Sequence, residues 1–415
     1  MSSRFERFCV RGCAVRWAAY VDVLKGGCMA KGARSKGAGR GKRGRAAMGP
    51  ADAARVGAAL PKIDALEDVP AFTDVRPSDD QRVAFEAFCL AAETPGEMHL
   101  GCVVRLDRGF PLVVTAERML RAEHAVGFAK QDKEKGDGLL PAVGDWVALR
   151  LAPGHDMGVI ERVLPRRTVF ERWRGKNRGE RQVLCANVDA ILVVQPLGAG
   201  EVLLGRIARS LVLAADCGAE PIVVLTKADR CSEEEREGEV ARVRRLVGGG
   251  VRVVVTSSAT GEGLDGVRAC VPAGTCSMIL GESGAGKSTL LNTLLGHDAL
   301  ETGAVRARDD AGRHTTVARV MVKLPGSCGV VTDAPGLRSL PLVGHERGLA
   351  RAFPEIVEAS RGCRFNDCTH THEPGCSVRA AVEAGEIDEL RLEVFKGLAS
   401  EMRVSAQSLD PDIHL

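Results

Sequence analysis

Residues 281–288 read Gly-Glu-Ser-Gly-Ala-Gly-Lys-Ser, a fit without mismatch to G-x-x-x-x-G-K-[ST], and no other stretch limits the fold as tightly. Such a loop works only where a strand delivers it and a helix leaves it. Its glycines let backbone N–H groups curl inward around phosphate oxygens, and the positive end of the following helix faces the same oxygens. Both neighbours are present: Cys276–Leu280 is an apolar run of strand length, and Lys287–Leu295 has helical spacing. Gly281, Glu282, Ser283, Gly284, Ala285, Gly286, Lys287, Ser288 and Thr289 are therefore candidate phosphate-binding residues. Lys287 would neutralise the β- and γ-phosphates, and the Ser288 hydroxyl would take a Mg²⁺ position.

The surrounding texture, Asn187 to Gly336, alternates buried-strand runs with helical patterns. The runs are Ala190–Val194, Pro221–Leu225, Val251–Thr256, Cys276–Leu280, Val317–Leu324 and Gly329–Thr332; Val202–Ala215 and Glu233–Val247 are among the helices. This argues a mostly parallel sheet covered on both faces, with ligands at the carboxyl ends of its strands. Two more motifs fall at such ends. In Thr226-Lys227-Ala228-Asp229, a carboxylate at Asp229 can accept from guanine N1–H and its N2 amine, a pair of donors adenine lacks, while the Lys227 stem packs over the base. Ser257-Ser258-Ala259 follows the next strand, placed to approach guanine O6. Asp333-Ala334-Pro335-Gly336 would hold Mg²⁺ through Asp333 and meet the γ-phosphate with the Gly336 N–H. In a Ras-like GTPase the phosphate loop comes first and the base reader near the end. Here the base reader precedes the loop, as though the old termini were joined and the chain reopened after the D-x-x-G turn.

Between the loop and Asp333 lies Gly312-Arg313-His314-Thr315-Thr316, a polar segment long enough to be ordered by nucleotide. Thr316, or else Thr315, would complete the Mg²⁺ shell. His314 would position or polarise the attacking water; the competing reading is a solvent-exposed loop histidine. Ras-like proteins place a water-orienting Gln after the turn, whereas this chain has Leu337, so slow intrinsic hydrolysis is expected.

Met98 to Phe170 suits a small five-strand barrel, with strands expected at Gly101–Arg105, Pro111–Thr115, His124–Phe128, Asp145–Leu149 and Gly158–Val163. An OB-fold is the first candidate and an SH3-like barrel the alternative. Arg166 to Arg181 is basic with Phe170 and Trp173 interleaved, a mixture suited to base stacking and phosphate contact or to a solvated linker. Ahead of the barrel, a helix is expected over Asp79–Ala92. Every charge from Lys25 to Arg45 is positive, which reads as a disordered basic arm touching RNA phosphates, or as leader ahead of a true start at Met29 or Met48.

Cys363, Cys368, His370 and Cys376 form C-x₄-C-x-H-x₅-C, three thiolates and an imidazole suited to a closed, structural Zn²⁺ site, with His372 as the competing imidazole. The remaining cysteines, of 14 in all, are scattered, which fits a reducing cytoplasm and not a disulfide framework. Val378–Ala384 and Ile387–Met402 read as helices. No stretch approaches the ~20 apolar residues of a membrane span, and a net charge of +3 does not by itself imply nucleic acid.

Taken in this order, the base reader, phosphate loop, Gly312–Thr316 segment, Asp333–Gly336 turn and zinc knuckle resemble the circularly permuted ribosome-biogenesis GTPases known as RsgA or YjeQ. The resemblance runs from about Met98 to near Met402. Ala142-Val143-Gly144-Asp145-Trp146-Val147 is similar to the family's OB signature, and Cys363–Cys376, with Glu373-Pro374, to its zinc signature. It implies an OB-fold, a permuted α/β GTPase domain and a zinc-bearing helical domain. It also implies a cytoplasmic, subunit-stimulated GTPase that converts GTP to GDP in late maturation of the small ribosomal subunit and contacts its rRNA. His314 stands at the family's catalytic position. Many members carry Asn where this chain has Thr226, which puts in question a contact to guanine N7 and a tie to the phosphate loop.

The expected division is 1–95 basic arm and linker, 96–170 barrel, 171–345 GTPase domain and 346–415 zinc-binding helices, in a monomer with no membrane partner. Because the zinc segment follows Asp333–Gly336 closely, movement at that turn should reach it. Two other functions compete: an RNA-binding scaffold that holds nucleotide without turnover, disfavoured by Lys287, Ser288 and Asp333, and a P-loop kinase or ATPase, disfavoured by Asp229.

Overall fold

The strand before the phosphate loop, β11 (Cys276–Leu280), is the fourth of six strands in one sheet by chain order, yet lies near its middle in space. It is flanked by β8 (Ala190–Pro196) and β13 (Val330–Asp333), both parallel to it. Beyond β8 come β9 (Glu220–Thr226) and the edge strand β10 (Arg252–Val255), also parallel; beyond β13 comes β12 (Arg319–Lys323), antiparallel. The computed structural model describes residue 63 and residues 66–107, 110–125, 140–151, 154–174, 180–300, 319–333, 342 and 344–409. For 172–174, 180, 181 and 406–409 it describes the backbone alone. All of these fall within one unit, Pro61–Leu409.

Helices cover both faces because the central strands are apolar on both sides. On one face, α2 (Leu204–Cys217) and α3 (Glu233–Val247) pack against Ile191, Val193, Val223 and Leu225. On the other, α4 (Leu264–Arg268) and α5 (Lys287–Leu295) pack against Leu192, Val194, Ile222 and Ile279. Ser232 caps α3 with a capping box to Glu235, and Gly218 and Gly296 close α2 and α5 in left-handed conformations, which accounts for their sharp ends.

The barrel comprises β1 (Met98–Asp107), β2 (Phe110–Thr115), β3 (Met119–His124), β4 (Trp146–Arg150) and β5 (Gly158–Val163). It closes in the order β1-β2-β3-β5-β4-β1, with β3 and β5 parallel. That closure is the OB order and sets aside the all-antiparallel SH3-like alternative. Val103, Val113, Leu120, Val147, Leu149 and Ile160 fill the interior. The intervening Cys102, Val104, Leu112, Val114 and Trp146 belong to the core shared with the α/β sheet, so β1, β2 and β4 are buried on both faces. The barrel wall continues that sheet: β1 pairs antiparallel with β12 (Arg105↔Val320, Leu106↔Arg319).

Two expectations are corrected. The third barrel strand is Met119–His124, beginning at Met119 instead of the expected His124; residues 126–128 of the expected His124–Phe128 lie outside the described residues. Leu120 and Ala122 point inward, and Arg121 turns out to pair with the buried Asp107 (2.7 Å). Arg166–Arg181 is not a linker: Val169–Arg174 (β6) and Glu180–Ala186 (β7) pair antiparallel. Phe170, opposite Cys185, is 1% exposed and stacks on no base. The Trp173 side chain lies outside the described residues.

Residues 66–97 lie against the body. Within α1 (Asp79–Ala91), Gln81 is buried and donates to Pro165 O (2.8 Å) and Asn187 Oδ1 (3.0 Å); Phe72 meets Trp146 edge-on at 5.5 Å; His297 sits 2.6 Å from Asp68. The 25–45 basic run lies outside the described residues.

Gly144 stands where barrel, hairpin and sheet meet. At φ +90° its N–H donates to Val103 O, and the Asn187 amide donates to its carbonyl. A Cβ there would lie 2.0 Å from Ala186 O. Beside it the fully buried Asp145 accepts a bidentate pair from Arg166 (2.7 and 2.6 Å); burial raises its carboxyl while Arg166 opposes that rise. Gly144→Ala combines a disfavoured φ with a backbone clash, and should lower stability by about 3 kcal/mol or more. The check is the denaturation midpoint of the full chain.

Candidate nucleotide site and metal centre

The structure brings the base reader and the phosphate loop together. Thr226 closes β9; its hydroxyl donates to Ala285 O at 2.7 Å and lies 3.4 Å from Gln195 O. The tie to the loop that Thr226 puts in question is therefore present. Lys227, at φ +59°, sends its ammonium to Gly284 O at 2.6 Å, laying its stem along the loop. Asp229 is exposed and oriented by Ser257, whose buried hydroxyl donates to Oδ1 at 2.5 Å. That bond is the main reason the Asp229 carboxyl is held below its ordinary value, with Lys227 and Arg230 adding to it, so it presents an ionised acceptor. The same Ser257 oxygen accepts from Ala259 N and Thr260 N (3.2 Å each), which shapes the turn opposite Asp229.

In the loop, Gly286 at φ +93° caps α5, a conformation that aims the first turn of the helix at the loop's interior. Lys287 donates to Gly281 O (2.6 Å) and Glu282 O (2.8 Å), so its ammonium lies across the mouth of the curl. Arg206 of α2 pairs with Glu282 from outside. Ser288 is half-buried in the first turn of α5, and Asp333 ends β13 in register with Ile279 of β11, 6% exposed. The Ser288 hydroxyl, in the helix that follows β11, and the Asp333 carboxylate, at the end of the neighbouring β13, are hard oxygen donors of the kind Mg²⁺ takes. His314, Thr315, Thr316, Gly336 and Leu337 lie outside the described residues.

The four expected zinc ligands converge. One ligand atom each from Cys363, Cys368, His370 and Cys376 lies within 4.8 Å of the others. Cys363 Sγ to Cys376 Sγ is 3.9 Å, and His370 Nδ1 lies 3.7 and 3.5 Å from those two sulfurs. A tetrahedron with Zn–S of about 2.3 Å and Zn–N of about 2.05 Å has edges of about 3.8 and 3.6 Å. Those separations match such edges, so the four groups could hold one zinc ion. His370 is buried at φ +60°, whereas His372 is exposed, which decides between the two imidazoles. Glu373 clamps the loop by accepting from Thr369 N (2.8 Å), Thr371 N (2.9 Å) and His372 N (3.1 Å); the Thr369 hydroxyl above all, then backbone amides including those of Thr369 and Thr371, hold its carboxyl far below the usual range.

The cluster sits among α6 (Glu346–Ala352), α7 (Pro354–Ser360), α8 (Ser377–Glu383) and α9 (Glu389–Leu409). Cys376 also caps α8, accepting from Arg379 N at 3.5 Å. Sequence reasoning missed how these helices join the nucleotide-binding sheet. His345 meets Asp216 of α2 at 2.8 Å, Arg209 of α2 pairs with Glu401 of α9, and Arg245 of α3 pairs with Asp388 at 2.9 Å. Arg391 stacks 4.8 Å over Phe353 and donates to Leu246 O at the end of α3. Such pairings join residues 129 to 192 apart in sequence, beyond the reach of local patterns.

The described cysteines are all free, and no described helix is long and apolar enough to cross a membrane.

Comparison with known proteins agrees with this arrangement. A family model described as RsgA GTPase matches residues 163–343. A protein named small ribosomal subunit biogenesis GTPase RsgA, from Streptomyces coelicolor, is 44% identical over 301 residues, covering 72% of this chain and 80% of its own length. One of the same name from Methanosarcina acetivorans is 39% identical over 278 residues, covering 67% and 73%. The crystal structure of YjeQ from Thermotoga maritima aligns with a TM-score of 0.56 at 28% identity, over 74% of this chain and 99% of that one. YloQ, described as a circularly permuted GTPase, shares the fold with a TM-score of 0.53 at 22% identity, over 74% and 96%.

Proposed function

Since the chain belongs to the RsgA family of circularly permuted GTPases, we propose that it binds GTP together with Mg²⁺ and hydrolyses it to GDP and phosphate when docked on the small ribosomal subunit, in late maturation of that subunit. The observation that carries this reading is the pair of bonds from Thr226 and Lys227 to Ala285 O and Gly284 O. They join a guanine-selective carboxylate to a phosphate loop across 59 and 57 residues of chain, so one nucleotide can span both.

In the proposed cycle Asp229 takes the Watson–Crick edge of guanine, and Ser257 keeps it ionised and aimed. The Ser257-Ser258-Ala259 turn lies toward O6, with the Ser258 N–H offered to it while the Ala259 N–H stays on Ser257 Oγ. The curl from Gly281 to Gly286 wraps the phosphates, and Lys287 moves from the carbonyls of Gly281 and Glu282 to the β- and γ-phosphates. Ser288, Thr316 and Asp333 would hold Mg²⁺, which would supply positive charge to the phosphates when bound. His314 orients the attacking water, and Gly336 meets the γ-phosphate. With Leu337 in place of a water-orienting Gln, hydrolysis is slow until rRNA contacts bring His314 into place. The barrel and the zinc-bearing helices are the rRNA-binding parts in this scheme, and the protein acts as a cytoplasmic monomer.

The test is GTP turnover with and without small subunits, for wild type and His314→Ala. Subunits should accelerate wild type, and the variant should lose about 10²-fold of the stimulated rate. Absence of stimulation, or equal stimulation of the variant, rules the mechanism out. GTP that stays intact for hours beside subunits would favour a nucleotide-holding scaffold instead.

A further inference from the structure

Thr226 is committed in a way that alters how the base can be read. We propose that this chain selects guanine without reading N7, so that purine choice among side chains rests on Asp229 with its Ser257 support. The proposal rests on the guanine site described above and goes further, into which atoms of the base are recognised.

Thr226 is 2% exposed, and its Oγ1 faces two carbonyl oxygens, Ala285 O at 2.7 Å and Gln195 O at 3.4 Å. A carbonyl only accepts, so the hydroxyl must be the donor in either bond, and a threonine hydroxyl has a single proton to give. N7 of guanine is likewise an acceptor and needs a donor. Turning the proton from Ala285 to N7 would gain one bond and break another in a buried setting, so it offers no net selectivity. An asparagine amide differs in kind, because its two N–H groups can serve a loop carbonyl and N7 together.

The surroundings locate the N7 edge beside this residue. Asp229, three residues on, takes N1–H and the N2 amine. The Ser257–Ala259 turn, bonded to Asp229, lies on the O6 side. The phosphates lie in the loop that Thr226 and Lys227 overhang: a Cβ on Gly286 would lie 3.5 Å from Thr226 Oγ1 and 3.7 Å from Lys227 Cε. A guanine reaching from Asp229 to that loop with O6 toward Ser257 passes its five-membered ring over Thr226. Nearby donors are already engaged. The Ala228 N–H donates to Thr256 O, the N–H groups of Ala259 and Thr260 donate to Ser257 Oγ, and the Lys227 ammonium is drawn to Gly284 O in the phosphate loop.

Calorimetric titration of the full chain with GDP, 7-deaza-GDP, IDP and ADP tests this. 7-Deaza-GDP lacks the N7 acceptor, and IDP lacks the N2 amine. Wild type should bind 7-deaza-GDP within about twofold of GDP, and IDP and ADP about tenfold or more weakly, since a site built to bond a group rejects the analogue lacking it. Thr226→Asn should open the GDP to 7-deaza-GDP gap to about fivefold or more by restoring a second donor. A wild-type preference for GDP over 7-deaza-GDP of about tenfold, with IDP still rejected, overturns the proposal and leaves the guanine site standing. A folded Thr226→Asn chain that still treats the two alike shows that position 226 does not face N7, and also overturns it. If GDP, IDP and ADP bind alike, the guanine reading fails and takes this inference with it. Should Thr226→Asn not fold, the wild-type ratio alone decides.

Discussion

Cys376→Ser should abolish zinc binding and unfold the segment from Cys363 to the end of α8. Cys376 serves twice: its sulfur is one vertex of the Cys363–Cys368–His370–Cys376 cluster, and it caps α8 by accepting from Arg379 N. Beyond the Glu373 clamp, little else orders the loop. Around it α7 and α8 have seven residues each, too short to be stable alone, and His370 is held at a positive φ that a non-glycine residue adopts only when its surroundings impose it. Structural zinc contributes on the order of 10–16 kcal/mol in small zinc-folded peptides. A fraction of that exceeds what the apolar contacts of a short loop provide. The expected result is a fall from about one zinc per chain to near zero, with fast amide exchange across 363–383. Chelation of wild type should produce the same exchange pattern, reversed by added Zn²⁺ only in wild type. His370→Ala should match Cys376→Ser, and His372→Ala should keep its zinc. Stoichiometric zinc in Cys376→Ser, or its loss in His372→Ala, would dismantle the ligand assignment.

This cluster also shows what the sequence could and could not convey. Three cysteines and a histidine within fourteen positions announce a tetrahedral site, because ligand type and spacing are local properties. The choice between His370 and His372 is not local: it depends on a backbone turn that buries one imidazole beside Phe395 (6.4 Å between ring centroids) and leaves the other in solvent. The phosphate loop follows the same division. Cys276–Leu280 and Lys287–Leu295 have the expected bounds, since an all-apolar run and a helix fixed between Gly286 and Gly296 are written in adjacent residues. The strand Met119–His124 was not legible, because Arg, Ala, Glu and His carry weak strand preference. It is held by parallel pairing to β5 and by the bond from Arg121 to Asp107, both non-local. In β6 the dense charges hide an inward-facing residue, Phe170, whose partner Cys185 arrives only when the hairpin closes. The joints between α2, α3 and the zinc-bearing helices are ion pairs of distant residues, and no pattern along the chain marks them.

Asp229→Asn should invert the base preference from GTP toward XTP, with GTP affinity down about 10²-fold or more. The direction follows from which atom Ser257 holds. Its hydroxyl donates to Asp229 Oδ1, and an amide oxygen at the same place can accept that donation unchanged. The substituted side chain would then keep its oxygen toward Ser257 and N1–H and turn its NH₂ to the place where the second carboxylate oxygen accepts from the N2 amine. Guanine would meet a donor with a donor there, whereas xanthine, which keeps N1–H but carries a carbonyl at C2, would meet it with an acceptor. Thr226 and Lys227 remain bonded to Ala285 O and Gly284 O in the variant, so the phosphate loop should keep its shape. XTP hydrolysis stimulated by small subunits is therefore expected alongside the loss of GTP affinity. Competition of GTP and XTP for wild type and variant measures both effects in one titration. A variant that still prefers GTP would remove Asp229 from the base, and residues 226–229 would cease to be the guanine reader.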